Sequence, residues 1–313
     1  MSIYPRAERV TYLYYLGRFL FTNNHFYRAQ LALQAAYDQC RPKASNRKQR
    51  HLILIFLIAS NITLGRFPSQ NLYQRPEAVG LAERFQPLCR AVAKGDLATF
   101  RRLTEMKNEH TAWFVYYRIF FQLRNRCEVL VWRSLIRKTF VLNGTQGAQV
   151  VQDESAPRKA PTLDLHDILH LMRFLEKRAL MPLTQLDNGP GRRHTNWVFM
   201  GDTPSAKETY VDPDLDGAPG GGKPGLLLPD MLEVESIVAS LVDQGFLNGF
   251  VSHKQLRFAI TGAKKRGALV AGFPKVWEVV RSRSDDEVPG WKKEQARRVF
   301  GRVVAADDEI MSR

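Results

Sequence analysis

At 313 residues, with 44% hydrophobic content, the chain is long enough for two modest domains that each bury a core. Its longest apolar run, residues 52–59, is far short of the ~20 residues a membrane-spanning helix needs, so no membrane partner is expected. The three cysteines, Cys40, Cys89 and Cys127, lie far apart with no C-x-x-C pair, which argues against a disulfide framework and a zinc site and makes them small core residues. The net charge of +15 is uneven: residues 1–144 hold 23 Lys+Arg against 8 Asp+Glu, whereas the remainder balances at 23 against 23. A basic half points to an acidic partner, either nucleic acid or an acidic protein. Residues 1–8 lack the apolar stretch of a signal peptide, so an intracellular address is expected and the Asn143-Gly144-Thr145 sequon should go unused.

Residues 11–40 read as two antiparallel helices. Leu13, Leu16, Gly17, Leu20, Ala29, Leu33 and Ala36 follow the tetratricopeptide spacing, in which small residues let the helices approach and leucines fill the groove. Asn23-Asn24 supplies the turn. Residues 47–64 form a third helix, closed by Gly65 and Pro68. Residues 88–94, a Gly95-Asp96 break and residues 97–106 make another helix pair, and 112–123 and 129–142 two more helices. The irregular spacing marks a degenerate α-solenoid whose first helix is crowded by Tyr12, Tyr14, Tyr15 and Phe19, where a polar outer face is usual; the chain is expected to be a fragment or to lean on a partner there.

Residues 143–161 read as a loop. An extended 161–163, a helix over 164–176, a mostly disordered insertion at 186–229 and a helix over 230–244 follow, the last with a capping box at Asp230 and Glu233. Residues 247–252 and 256–260 form a tight hairpin around His253-Lys254-Gln255. With 129–142 as its first helix, this order is that of a winged helix-turn-helix. A basic stretch then leads to a helix over 275–283, and 291–308 has helical spacing. The expected fold is mostly α: a helical-repeat domain over 1–127, a winged helix over 128–261 and a basic C-terminal extension over 262–313.

The stretches YYLGRFLFTNNHFYRAQLALQAAYDQC, ILIFLIASNITLGRFPS and above all LVDQGFLNGFVSHKQ resemble the PCI family of the proteasome lid, the signalosome and a translation initiation factor. The likeness covers roughly residues 12–142 and 162–260, and is nearest to the PCI subunit of the TREX-2 transcription-coupled mRNA export complex and its signalosome-associated sister. It implies a scaffold rather than an enzyme, without cofactor, in the nucleus or at the nuclear pore. The implied partners are a larger PCI-like scaffold protein and a small acidic disordered subunit. PCI modules pair near the turn into the wing, where Phe246 and Phe250 stand; the alternative is that one or both are core residues. The sequence departs from the pattern in lacking the first repeats and in carrying the insertion.

For nucleic acid, the candidates are Lys254 in the wing, Arg257 on the next strand and Lys264, Lys265 and Arg266 beyond it, expected to lie together as a track for RNA or DNA phosphates. Glu233, Glu235 and Asp243 on the preceding helix disfavour base reading, so backbone contact is expected. The bland reading is a solvated wing without ligand. Arg41, Lys43, Arg47, Lys48 and Arg50 form a second basic cluster, by default a solvated loop. His166 and His170 imitate a zinc-peptidase helix, but Asp167 replaces the usual Glu and no third ligand is evident, so both are expected to border the core and a metal-dependent hydrolase is a remote alternative. Asp212, Asp214 and Asp216 imitate a calcium loop that Lys223 spoils, and residues 217–223 a phosphate loop that lacks its Ser/Thr. No metal is therefore expected.

Overall fold

In the computed structural model, residues 4–106, 108–147, 160–180 and 230–284 and the short strands at 298–299 and 302–303 are described. The expected insertion at 186–229, with its calcium-like and phosphate-loop-like motifs, lies outside them. The chain is mostly helical, a solenoid of helical hairpins followed by a winged helix.

Helices α1 (Arg6–Thr22) and α2 (Phe26–Gln39) form the first hairpin. The turn is made by Asn24, whose φ of 65° is a left-handed conformation that Asn tolerates. Gly17 is needed for the close approach: a Cβ there would stand 2.5 Å from Leu33 Cγ. Helix α3 (Arg47–Thr63) packs behind the hairpin, with Ile53 through Ser60 buried on every side, so its continuous apolar run is that of a core helix. The short α4 (Gln70–Tyr73) leads to α5 (Leu81–Lys94) and α6 (Leu97–Leu103). Helix α5 starts seven residues before the expected position 88, with Pro87 inside it, because Leu81 and Phe85 anchor its first turns in the core. Gly95 closes α5 at φ 69° and lies against the backbone of Leu135. Asp96 then caps α6 by accepting from the Thr99 amide at 3.0 Å.

Two expected helices change their boundary. Helix α7 (Glu109–Tyr116) is followed by a left-handed turn at Arg118, φ 57°, and α8 runs unbroken from Phe120 to Asn143. The polar run at 124–126 looked like a break, but those three side chains all face solvent, while Leu123, Cys127 and Leu130 keep one face buried. The expected division between 127 and 128 therefore falls inside one helix, and one continuous core joins its two sides.

The winged helix consists of α8, strand β1 (Thr162–Asp164), α9 (Leu165–Leu180), α10 (Met231–Asp243) and the hairpin β2 (Gly249–Ser252) and β3 (Arg257–Ile260). Asp230 caps α10 by accepting from the Glu233 amide at 2.7 Å, as the sequence suggests. The sheet order is β1-β3-β2, all antiparallel, with Leu163 opposite Phe258 and Val251 opposite Phe258 on the other side. Short helices α11 (Ala263–Arg266) and α12 (Ala268–Gly272) precede α13 (Val276–Ser284), which packs back on α2. Strands β4 (Arg298–Val299) and β5 (Arg302–Val303) pair antiparallel where the sequence has helical spacing; the rest of 291–308 lies outside the described residues.

All three cysteines are buried and free, as expected of core residues. Burial pushes the Cys89 thiol up to about 12.

Candidate functional site

The residues expected to carry function lie on the wing and beside it. Strand β2 is an outer strand: it pairs with β3, and no described strand covers its other edge. Such an edge offers unpaired backbone groups to a second chain. Phe250, in the middle of β2, is 56% exposed, whereas Phe246 is half-buried against the core. The two phenylalanines thus have different surroundings: Phe250 presents its ring to solvent and Phe246 packs against the core.

The four basic candidates whose side chains are described, Lys254, Arg257, Lys264 and Arg266, stand in two groups rather than one. The register places Ser252 opposite Arg257 at the hairpin tip and Gly249 opposite Ile260 at its base. Lys254 lies in the tip turn and Arg257 beside it, while Lys264 and Arg266 lie on α11, past the base; the side chain of Lys265 lies outside the described residues. Four residues of extended strand, on the order of 10 Å, separate the groups. At the base, Thr261 Oγ1 donates to Asn248 Oδ1 at 3.0 Å. Lys254, Lys264 and Arg266 are solvent-exposed. Arg257 is partly neutralised by Asp164 at 3.8 Å.

Carboxylates also shape the tip. His253 Nδ1 lies 2.9 Å from Glu235 of α10, a contact that joins the wing to that helix. His166 Nδ1 lies 2.9 Å from Asp164, whose carboxyl is otherwise raised by burial and is held below its ordinary value by the His166 hydrogen bonds and by the charges of His166 and Arg257. His166 and His170 are exposed rather than at the border of the core, because Leu165, Ile168, Leu169 and Met172 take the buried face of α9. Among the described residues no group of three or more His, Cys, Asp or Glu could hold a metal ion. No described helix is long and apolar enough to cross a membrane.

The second basic cluster is also divided. Arg50 is buried: its guanidinium pairs with Glu77 at 2.9 Å, donates to the Tyr37 and Cys40 carbonyls and stacks on the Tyr37 ring, with 4.0 Å from Cζ to the centroid. Tyr37 Oη donates to Glu77 at 2.6 Å and accepts from Arg75 at 2.8 Å. Burial alone would raise the Glu77 carboxyl, but the hydrogen bonds from Tyr37 and Arg50 and the Arg50 charge outweigh it and hold the group below its ordinary value. Arg41, Lys43, Arg47 and Lys48 remain at the surface. The sequence reading missed a groove beside this network, between α2, α3 and residues 66–75. Its only local signal was the Arg66-Phe67-Pro68 run after Gly65, which carries a large apolar residue left exposed.

No family model matches the chain. It is 27% identical over 247 residues to a PCI domain-containing protein of Schizosaccharomyces pombe, covering 79% of this chain and 41% of the relative. It is 24% identical over 258 residues to PCI domain-containing protein 2 of Xenopus laevis, covering 82% of this chain and 46% of the relative. A CSN12 homolog of Neurospora crassa is 29% identical over 159 residues, 50% of this chain and 33% of the relative. The chain therefore spans less than half the length of these relatives. Together with the helical repeats and the winged helix, these likenesses support the PCI family.

Proposed function

We propose that the chain is a non-enzymatic scaffold subunit of a nuclear, transcription-coupled mRNA export complex of the TREX-2 kind, acting up to the nuclear pore. It pairs with a larger PCI-like subunit, binds a small acidic disordered subunit, and offers basic surface to RNA or DNA backbones. The observation that carries the pairing is the uncovered edge of β2 with Phe250 exposed on it. Phe250→Asp should abolish co-purification with a PCI-like partner while leaving the helical circular dichroism intact. Full retention of the partner would overturn the pairing.

Nucleic-acid contact on this reading is divided between two places. Because the tip and the α11 residues lie at opposite ends of the hairpin, Lys254→Ala with Arg257→Ala should weaken binding of a labelled oligonucleotide independently of Lys264→Ala with Lys265→Ala and Arg266→Ala. Each loss should also reduce the salt dependence. Unchanged affinity in both sets would leave a scaffold without nucleic acid. The similarity to a CSN12 homolog favours a second reading, a signalosome-associated scaffold of the same build without nucleic-acid binding. Identification of the co-purifying PCI partner separates the two.

A further inference from the structure

Past the wing the chain returns to the helical repeats. Two glycines in the left-handed region, Gly65 after α3 at φ 71° and Gly245 after α10 at φ 74°, present bare backbone to α13. A Cβ on Gly65 would stand 3.0 Å from Val276 Cβ, and one on Gly245 3.4 Å from Val279 Cγ1. Val276, Val279 and Arg283 are spaced to share one helix face, and Arg283 donates to the Asp243 carbonyl at the end of α10 at 2.6 Å. Arg66 stacks over the Trp277 ring, its Cζ 4.3 Å from the centroid. Ahead of the helix, the buried Phe273 packs on Phe140 of α8, with ring centroids 5.7 Å apart. Arg133 of α8 donates to the Phe273 and Pro274 carbonyls at 3.1 and 2.6 Å. The start of the segment is fastened to the base of the wing, where Asn248 donates from its amide to the Gly272 carbonyl at 3.0 Å and from Nδ2 to the Ala271 carbonyl at 3.1 Å. Residues 271–283 therefore touch the repeats, α8, α10 and the wing.

These ties are shallow. Among the described side chains of α13 only Val276 is buried, whereas α3 is buried on every side from Ile53 to Ser60. A helix of 9 residues does not hold its shape without packing. Among the described residues, Arg66, Arg133 and Arg283 meet carbonyls and a ring in these contacts rather than carboxylates. The Arg133 guanidinium is uncompensated: burial pushes it down to about 10, the charge of Arg137 adds to this, and Nε is buried without a partner. We infer that residues 271–284 form a detachable strap, which opens without unfolding the repeats or the winged helix and, while closed, fixes the basic turn α11 relative to the first repeats. Helix α11 lies between β3 and α12, so the sheet sets its place at one end and the strap at the other. Closed and open forms thus differ in where Lys264 and Arg266 stand. The inference depends on neither the pairing through β2 nor nucleic-acid binding.

The test is native-state hydrogen exchange on the full chain, with spin labels at Lys48→Cys and Lys264→Cys as a second readout; the three native cysteines are buried. Amides of α13 should exchange at least about tenfold faster than those of α3, through an opening that leaves β2 and β3 protected. Trp277→Ala removes the ring under Arg66, and Arg283→Gln the guanidinium at the Asp243 carbonyl. Each should speed α13 exchange about tenfold further and broaden the distance between the labels, with α3 unchanged. Arg283→Gln, at an exposed position, keeps the test sound should Trp277→Ala disturb the repeats. Equal exchange in α13 and α3 would overturn the inference, because the segment then opens only with the whole fold. So would an unchanged label distance in both variants, with α11 then held in place without the strap. Loss of PCI pairing in Phe250→Asp leaves either result untouched.

Discussion

The first hairpin and the wing reach similar burial by different routes. In the hairpin, Gly17 meets Leu33 and Phe21 lies 5.4 Å from Phe26, contacts between residues close in the chain. In the wing, Phe258 lies between Leu163, 95 positions earlier, and Val251. The helices satisfy their own backbone groups and need partners only for a face, so short-range pattern suffices. The sheet has to close a long loop before any of its strands is paired, which makes its stability depend on a few central side chains.

Substitutions at four positions probe that difference, in order of expected effect. Phe258→Ala removes the fully buried ring that both outer strands share and should destabilise the fold by about 3–5 kcal/mol in denaturant unfolding, with early loss of amide protection in β1 and β2. Protection lost first in α1 instead would mean that the two regions are not separable. Glu77→Ala leaves Arg50 buried without its carboxylate and should destabilise by about 3 kcal/mol, measured in the same way.

The same pair predicts a pH dependence. Glu77 is held below its ordinary value in the fold, so its contribution is present above the ordinary carboxylate range and is lost as pH falls through the folded value. The protein should therefore lose stability below about pH 4 more steeply than Glu77→Gln does. Parallel acid profiles would show that the ion pair contributes nothing to acid sensitivity. Gly17→Val, by forcing a branched side chain against Leu33, should cost about 1–3 kcal/mol, confined to protection in α1 and α2. Asp230→Ala removes the cap on α10 and should cost about 1 kcal/mol by thermal melting, fraying the start of that helix without moving the wing.

The candidate site was less legible than the fold. The hairpin strands, the capping box and the turn at Asn23-Asn24 all follow from residues within a few positions of one another. Arg50 and Arg47 look alike in the sequence, yet one lies in a buried network with Tyr37 and Glu77 and the other at the surface. Nothing local separates them, since Glu77 is 27 positions from Arg50. His166 and His170 were assigned to the edge of the core by their place on a helix, but the four apolar residues of α9 fill that face and leave both outside.

The sequence alone determined the helical hairpins, the winged-helix order and the basic character of the first half, because periodicity, turn chemistry and charge are properties of neighbouring residues. Only the tertiary structure decided that the basic wing residues stand at two ends of a hairpin, that Phe250 is exposed while Phe246 is packed, and that Arg66 and Arg75 frame an apolar groove. Each of these depends on which distant segments meet, and strand register and helix docking are settled by burial over the whole core rather than by local pattern.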